Sequence, residues 1–245
     1  MDDTINILGV HVSTKTMEET ADTLLSYLEQ EGTHCVFTPN SEIIYMAYKD
    51  TDFTRILNSA DINTADGIGV VYASRILKKP LQERVAGYDL MHRLIAKAAP
   101  KKKRVFLFGS KPGVAQEAGD KLKNLYPGIV ICGTRDGYFK DEQTQEIIDQ
   151  INASEPDLLL VCLGAPKQEK WIYDNRPRLH ARVIMGLGGS LDTLTGRMER
   201  APERWQKMGL EWAYRLKKEP QRIGRMMALP RFGLTVLFKG KRYQK

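Results

Sequence analysis

Several segments bring polar or glycine-rich residues directly behind a short apolar run, where side chains could do chemistry. Thr64-Ala65-Asp66-Gly67-Ile68-Gly69 puts a carboxylate on a turn whose glycines let a ligand or another backbone come close. Such a carboxylate can take a proton from an attacking hydroxyl, or it can simply cap the next helix. Phe37-Thr38-Pro39-Asn40-Ser41-Glu42 leaves the same choice: Thr38 and Asn40 either touch a ligand or cap a helix that starts near Ser41. Gly164-Ala165-Pro166-Lys167-Gln168-Glu169 sets a proline at a helix start. Lys167, Gln168 and Glu169 then fall in the first turn, where free N–H groups suit a phosphate or a sugar oxygen. Gly186-Leu187-Gly188-Gly189-Ser190-Leu191-Asp192 matches part of a dinucleotide fingerprint without completing it. Phe108-Gly109-Ser110-Lys111-Pro112-Gly113 has the shape of a phosphate loop but lacks the Walker pattern.

Other chemistries find no support. His11, His34, His92 and His180 show no HxxxH or HExxH spacing and no His/Cys ligand arrangement, so no zinc site is expected. Cys35, Cys132 and Cys162 are odd in number, far apart and inside apolar segments, which reads as three small core residues and not as a disulfide framework. The Gly-x-Ser-x-Gly elbow of hydrolases is missing. Asp50-Thr51-Asp52 matches the metal-binding DxD of many sugar transferases, but it follows a helix instead of an apolar strand and reads as a surface helix cap.

The elements that must position these residues alternate. Short apolar runs at 5–12, 35–38, 62–64, 104–109, 129–133, 157–164 and 182–186 read as strands, each ending at a turn residue. Between them lie helical patterns, among them Met17, Ala21, Leu24, Leu25 and Leu28, and Val114, Ala115, Ala118, Leu122 and Leu125. Val105-Phe106-Leu107-Phe108 is apolar without alternation, as a strand covered on both faces must be. The expected class is α/β: a Rossmann-like, mostly parallel sheet flanked by helices, followed by a basic helical appendage.

The appendage is announced by charge. The chain has 245 residues and a net charge of +7, yet residues 1–196 carry 23 basic and 26 acidic side chains, whereas residues 197–245 carry 14 and 4. Residues 1–196 are therefore expected to form the α/β body and residues 197–245 an appendage facing a polyanion. Trp205, Met208, Leu210, Trp212, Leu216, Ile223 and Met226 recur there at helical spacing among basic residues, with Pro220 and Pro230 near helix starts. A membrane-surface lid and a helical pair packed on the body both fit this pattern. No run approaches the roughly 20 apolar residues of a membrane span, and the acidic start Met1-Asp2-Asp3 is unlike a secretory signal, so a cytoplasmic protein is expected.

Taken in order, Thr38 to Glu42, Thr64 to Gly69, Glu83-Arg84-Val85-Ala86-Gly87-Tyr88-Asp89-Leu90, Gly133-Thr134-Arg135-Asp136-Gly137-Tyr138-Phe139, Leu163 to Trp171, and Arg200-Ala201-Pro202 with Gly209-Leu210-Glu211-Trp212 resemble the WecG/TagA/CpsF family of bacterial glycosyltransferases. The similarity runs over nearly the whole chain and is strongest to the teichoic-acid branch. It implies an inverting, metal-independent transferase, without cofactor, that moves N-acetylmannosamine from UDP to the C4 hydroxyl of undecaprenyl-diphosphate-linked N-acetylglucosamine. The acceptor implies a peripheral protein on an anionic membrane, at the inner face of the cell membrane. Asp66 is then the candidate base; Arg84, with Arg215, Arg222 and Arg225 of the appendage, are the candidates for holding the diphosphate. A helix over 215–225 would bring these three arginines to one face, although Pro220 can break it. The resemblance further implies that Thr38, Asn40 and Gln168 contact the sugars or diphosphate and that Asp192 and Tyr138 approach the uridine.

Competing readings remain within reach of the sequence. A member of the same family using glucose or N-acetylmannosaminuronic acid is poorly separated by sequence, although a uronate would ask for one more cation in the sugar pocket. An oxidoreductase would need the complete glycine fingerprint. A non-enzymatic nucleic-acid binder would use the basic tail, but its methionines and leucines argue against phosphate tracking, and no nucleic-acid partner is expected. A homo-oligomer that buries the apolar surface beneath a detached tail is left open.

Overall fold

The computed structural model describes residues 3–218, 224 and 227–244, apart from the side chains of Lys207 and Arg215. The chain starts with an antiparallel hairpin, β1 (Thr4–Ile7) and β2 (Val10–Ser13). The expected single strand over 5–12 is thus two: Leu8 and Gly9 have φ of 54° and 98°, a two-residue turn that folds the run back on itself and keeps it out of the main sheet.

The main sheet is built from β3 (His34–Phe37), β4 (Ile62–Asn63), β5 (Arg104–Gly109), β6 (Val130–Arg135), β7 (Leu158–Cys162) and β8 (Val183–Gly186). The strands run parallel in the order β4-β3-β8-β7-β5-β6. Successive side chains point to opposite faces, and both faces are covered. Phe37, Phe106, Phe108, Leu159, Val161 and Ile184 enter one core, while Val36, Val105, Leu107, Leu158, Leu160 and Met185 enter the other.

The connections are α1 (Met17–Tyr27), α2 (Ser41–Lys49), α3 (Thr51–Asn58), α4 (Ile68–Ile76), α5 (Gly87–Ala98), α6 (Val114–Leu125), α7 (Thr144–Ala153), α8 (Lys167–Asn175) and α9 (Ser190–Thr195). Their starts follow local chemistry. Thr16 and Glu19 form a capping box on α1, and Asn40 Oδ1 accepts from the N–H groups of Glu42 and Ile43 at the start of α2. Asp50 Oδ1 accepts from Phe53 N at 3.0 Å and caps α3, while Asp52 pairs with Arg55, so the DxD carboxylates serve this helix as expected. Helices α2, α3, α4, α7 and α8 pack on the first core; α1, α5, α6 and α9 pack on the second.

The basic segment contributes α10 (Glu203–Lys207), α11 (Glu211–Lys218) and α12 (Ala228–Lys239), with Pro230 in the first turn of α12. Helix α12 lies against α2 and α4 and sends Phe232 and Val236 into the first core. Its outer side leaves Leu234, Leu237 and Phe238 exposed beside Lys239, Lys241 and Arg242. Among the described residues no helix is long and apolar enough to cross a membrane.

Candidate active site

The connections leaving β7 and β8 go to opposite faces of the sheet, α8 to the first core and α9 to the second. Neighbouring strands whose connections diverge leave a crevice at their carboxyl ends, the usual ligand position in a parallel sheet. Here it is a cleft of about 300 Å³ lined by Thr38, Asn40, Asp66, Tyr88, Gln168 and Arg200, among others. A recess of about 160 Å³ adjoins it, sharing Asn40, Asp66 and Glu211 and adding Arg84, Ile68 and Trp212. The divergence of β5–α6 from β7–α8 opens a third space of about 290 Å³, lined by Ser110, Lys111, Tyr138 and Asp192. It shares Gly164, Gly188 and Gly189 with the central cleft, so the three spaces form one groove. The helices that follow parallel strands direct their N-termini at this edge, which favours anions there.

Each polar side chain has a structural reason for its position. Thr38 Oγ1 donates to the carbonyl of Gly186 at 3.0 Å and ties the end of β3 to that of β8. Asn40 uses its carboxamide oxygen as the α2 cap, leaving its nitrogen as the group available to a ligand. Helix α4 takes Gly67, at φ 97°, as its N-cap; the Asp66 carboxylate instead accepts from Gly87 N at 3.4 Å, at the start of α5. That contact needs glycine at 87, since a Cβ there would lie 2.9 Å from the Thr38 side chain. Gln168 is buried, its Oε1 accepting from Gly188 N at 2.8 Å and its Nε2 donating to Glu169 Oε1 at 2.9 Å.

Four charges link up beside the recess, two of which, Arg84 and Glu211, line it. Arg84 pairs with Glu211 of α11 and lies 3.4 Å from Asp89. Arg200 Nη2 is 2.6 Å from Asp89, its Nε is 3.9 Å from Glu211, and its guanidinium stacks over the Tyr88 ring at 4.8 Å. The two arginines and two carboxylates form a ring that fastens α11 and the strap before α10 to the body. At the other end of the groove, Ser110 Oγ donates to Asp192 Oδ2 at 2.9 Å, and Tyr138 is two-thirds exposed.

The family model for the WecG/TagA/CpsF glycosyl transferases matches residues 5–245. The chain belongs to this family. Among curated WecG/TagA/CpsF proteins it is 43% identical to one from Bacillus spizizenii over 86% of this chain and 82% of that one. It is 41% identical to one from Bacillus subtilis over 88% and 83%, and 34% identical to one from Staphylococcus aureus over 97% and 93%. All three relatives are named N-acetylglucosaminyldiphosphoundecaprenol N-acetyl-beta-D-mannosaminyltransferase.

Within this WecG/TagA/CpsF chain the fold brings Thr38, Asn40, Asp66 and Gln168 to the central cleft, Arg84 to its adjoining recess, and Asp192 and Tyr138 to the third space. Arg215 belongs to α11, but its side chain lies outside the described residues, as do Arg222 and Arg225 altogether. Sequence reasoning did not single out Arg200, Glu211 or Tyr88 as site residues. All three fall in motif blocks quoted above, and the signal available was a charged or aromatic residue in each of two segments distant in sequence. Ser110 and Lys111 were visible only as a glycine-flanked loop after β5.

Proposed function

We propose that this enzyme transfers N-acetylmannosamine from UDP to the C4 hydroxyl of N-acetylglucosamine carried on undecaprenyl diphosphate, in one inverting displacement that needs no metal. The observation that carries the reading is Asp66, a carboxylate common to the central cleft and to the recess that holds Arg84 and Glu211. The names and coverage of the relatives support the transferred sugar and the acceptor.

In this mechanism Asp66 takes the proton of the acceptor hydroxyl as its oxygen forms the new bond to the anomeric carbon. The bond from that carbon to the UDP oxygen breaks, and the β-phosphate leaves with the electron pair. Arg84 stabilises the charge that builds on the diphosphate, and Arg200 reaches the same region; Arg215, Arg222 and Arg225 complete the set when the appendage closes over the groove. Cationic side chains and helix N-termini do here what a divalent ion does in DxD transferases, while the Asp50 and Asp52 carboxylates cap and pair within α3. Thr38, Asn40 and Gln168 hold sugar and diphosphate oxygens, and Asp192 and Tyr138 bound the space for the uridine. The exposed apolar side of α12 with its flanking lysines and arginine suits an anionic membrane, so residues 197–245 form a membrane-proximal appendage of the body at 1–196, anchored by Phe232 and Val236 while the segment before α12 serves as the lid, on the inner face of the cell membrane.

The test is the product. Incubation of the protein with UDP-N-acetylmannosamine and a short-chain lipid-diphosphate N-acetylglucosamine should give a disaccharide whose NMR spectrum shows a β anomer on C4. An α anomer would refute the single displacement, and a product formed only from another UDP-sugar would refute the donor.

A further inference from the structure

Glu169 sits beside the cleft but not in it. Its side chain is 1% exposed, and Oε1 is the acceptor for Gln168 Nε2. The other oxygen, Oε2, is closed off from solvent and meets no hydrogen-bond partner among the described residues. Burial pushes this carboxyl above its ordinary range, and an apolar side chain at so buried a position would cost the fold less. A polar group kept where the packing disfavours it points to a task outside packing.

Its hydrogen bond with Gln168 defines the task. Gln168 Oε1 faces an N–H donor, Gly188 N at 2.8 Å, and Gln168 Nε2 faces a carboxyl acceptor, Glu169 at 2.9 Å. Flipping the carboxamide would set NH2 against N–H and C=O against a carboxyl oxygen, losing both bonds. The two contacts therefore fix one orientation and leave the second Nε2 proton as the donor that Gln168 can offer a ligand. Among the described residues Gly188 N holds the oxygen and Glu169 anchors the nitrogen end.

We infer that Glu169 is a positioning residue for sugar transfer, acting through Gln168 by holding its carboxamide so that an N–H donor, not a carbonyl, faces the bound substrate. The inference rests on the function proposed above.

A double-mutant cycle tests it. In the Gln168 background, Glu169→Leu should lower kcat/KM by about 10- to 100-fold, the scale of a misplaced binding group. Glu169→Gln, whose own oxygen can accept from Gln168, should stay within about threefold of wild type. In a Gln168→Ala background, Glu169→Leu should cost less than about twofold, because the group it acts through is gone. Equal losses in both backgrounds, or Glu169→Leu at the wild-type rate, would overturn the inference. A readout independent of turnover accompanies it: the Gln168 side-chain amide protons, assigned in 15N spectra by their loss in Gln168→Ala, should exchange slowly in wild type and Glu169→Gln and rapidly in Glu169→Leu. Unchanged slow exchange in Glu169→Leu would count against the inference. Transfer missing from the wild type, with the exchange pattern intact, would count against the proposed function and not against the positioning role.

Discussion

Asp66→Asn separates chemistry from structure at the centre of the groove. The substitution keeps shape and an acceptor oxygen but removes the basic carboxylate. Asp66 is only partly buried, and its contact with Gly87 N, at 3.4 Å, is long for an N–H···O bond. An amide oxygen can keep that contact, so the fold should lose less than about 1 kcal/mol. General-base catalysis contributes about 10²- to 10⁴-fold, equivalent to roughly 3–5 kcal/mol of transition-state stabilisation. The loss should therefore fall on kcat, with the KM for donor within about threefold, because Thr38, Gln168 and Arg84 remain in place. Initial rates of UDP release at saturating acceptor measure kcat, and a thermal melt of the same preparation measures folding. A well-folded Asp66→Asn protein with kcat within tenfold of wild type would refute the assignment of Asp66 as base.

Other consequences follow from specific contacts. Glu211→Gln removes the anion that pairs with Arg84 and approaches Arg200, so UDP should bind about three- to tenfold more tightly by calorimetry, the scale of a partly buried ion pair; weaker binding would place the diphosphate elsewhere. Phe238→Glu on the exposed side of α12 should reduce binding to phosphatidylglycerol vesicles by at least about tenfold while leaving the thermal melt unchanged; equal sedimentation with vesicles would remove α12 from the membrane contact. The raised pKa of Glu169 means that its contribution to stability is full below the ordinary value of 4.5 and is lost as pH rises through the folded value. Glu169→Gln does not titrate, so its stability relative to wild type should increase from pH 4.5 upward in urea unfolding; a constant difference would contradict the buried carboxyl.

The sheet and the cleft were legible because both are written locally. An unbroken apolar run such as residues 105–108 says that both faces of a strand are covered, and a parallel sheet then requires polar residues such as Thr38, Asp66 and Gln168 to gather at one edge. The turn at Leu8 and Gly9 was missed because leucine rarely adopts positive φ and hides a hairpin inside an apolar run. The ring of Arg84, Asp89, Arg200 and Glu211 was not legible, since Arg84 and Glu211 are 127 residues apart and nothing local pairs them. The burial of Glu169 was not legible either: its place in a first helical turn says nothing of which side α8 turns inward, and the fold buries it. The tail reads in sequence as apolar and basic, but only the fold shows that Phe232 and Val236 of α12 reach the same core as the sheet.

The most direct measurement is UDP release from UDP-N-acetylmannosamine with and without lipid-diphosphate-linked N-acetylglucosamine, in the presence of EDTA. Release should require the acceptor and survive the chelator. Release that stops in EDTA and returns with a divalent metal would contradict the cationic account of the leaving group. Absence of release with this donor and acceptor would contradict the proposed reaction itself.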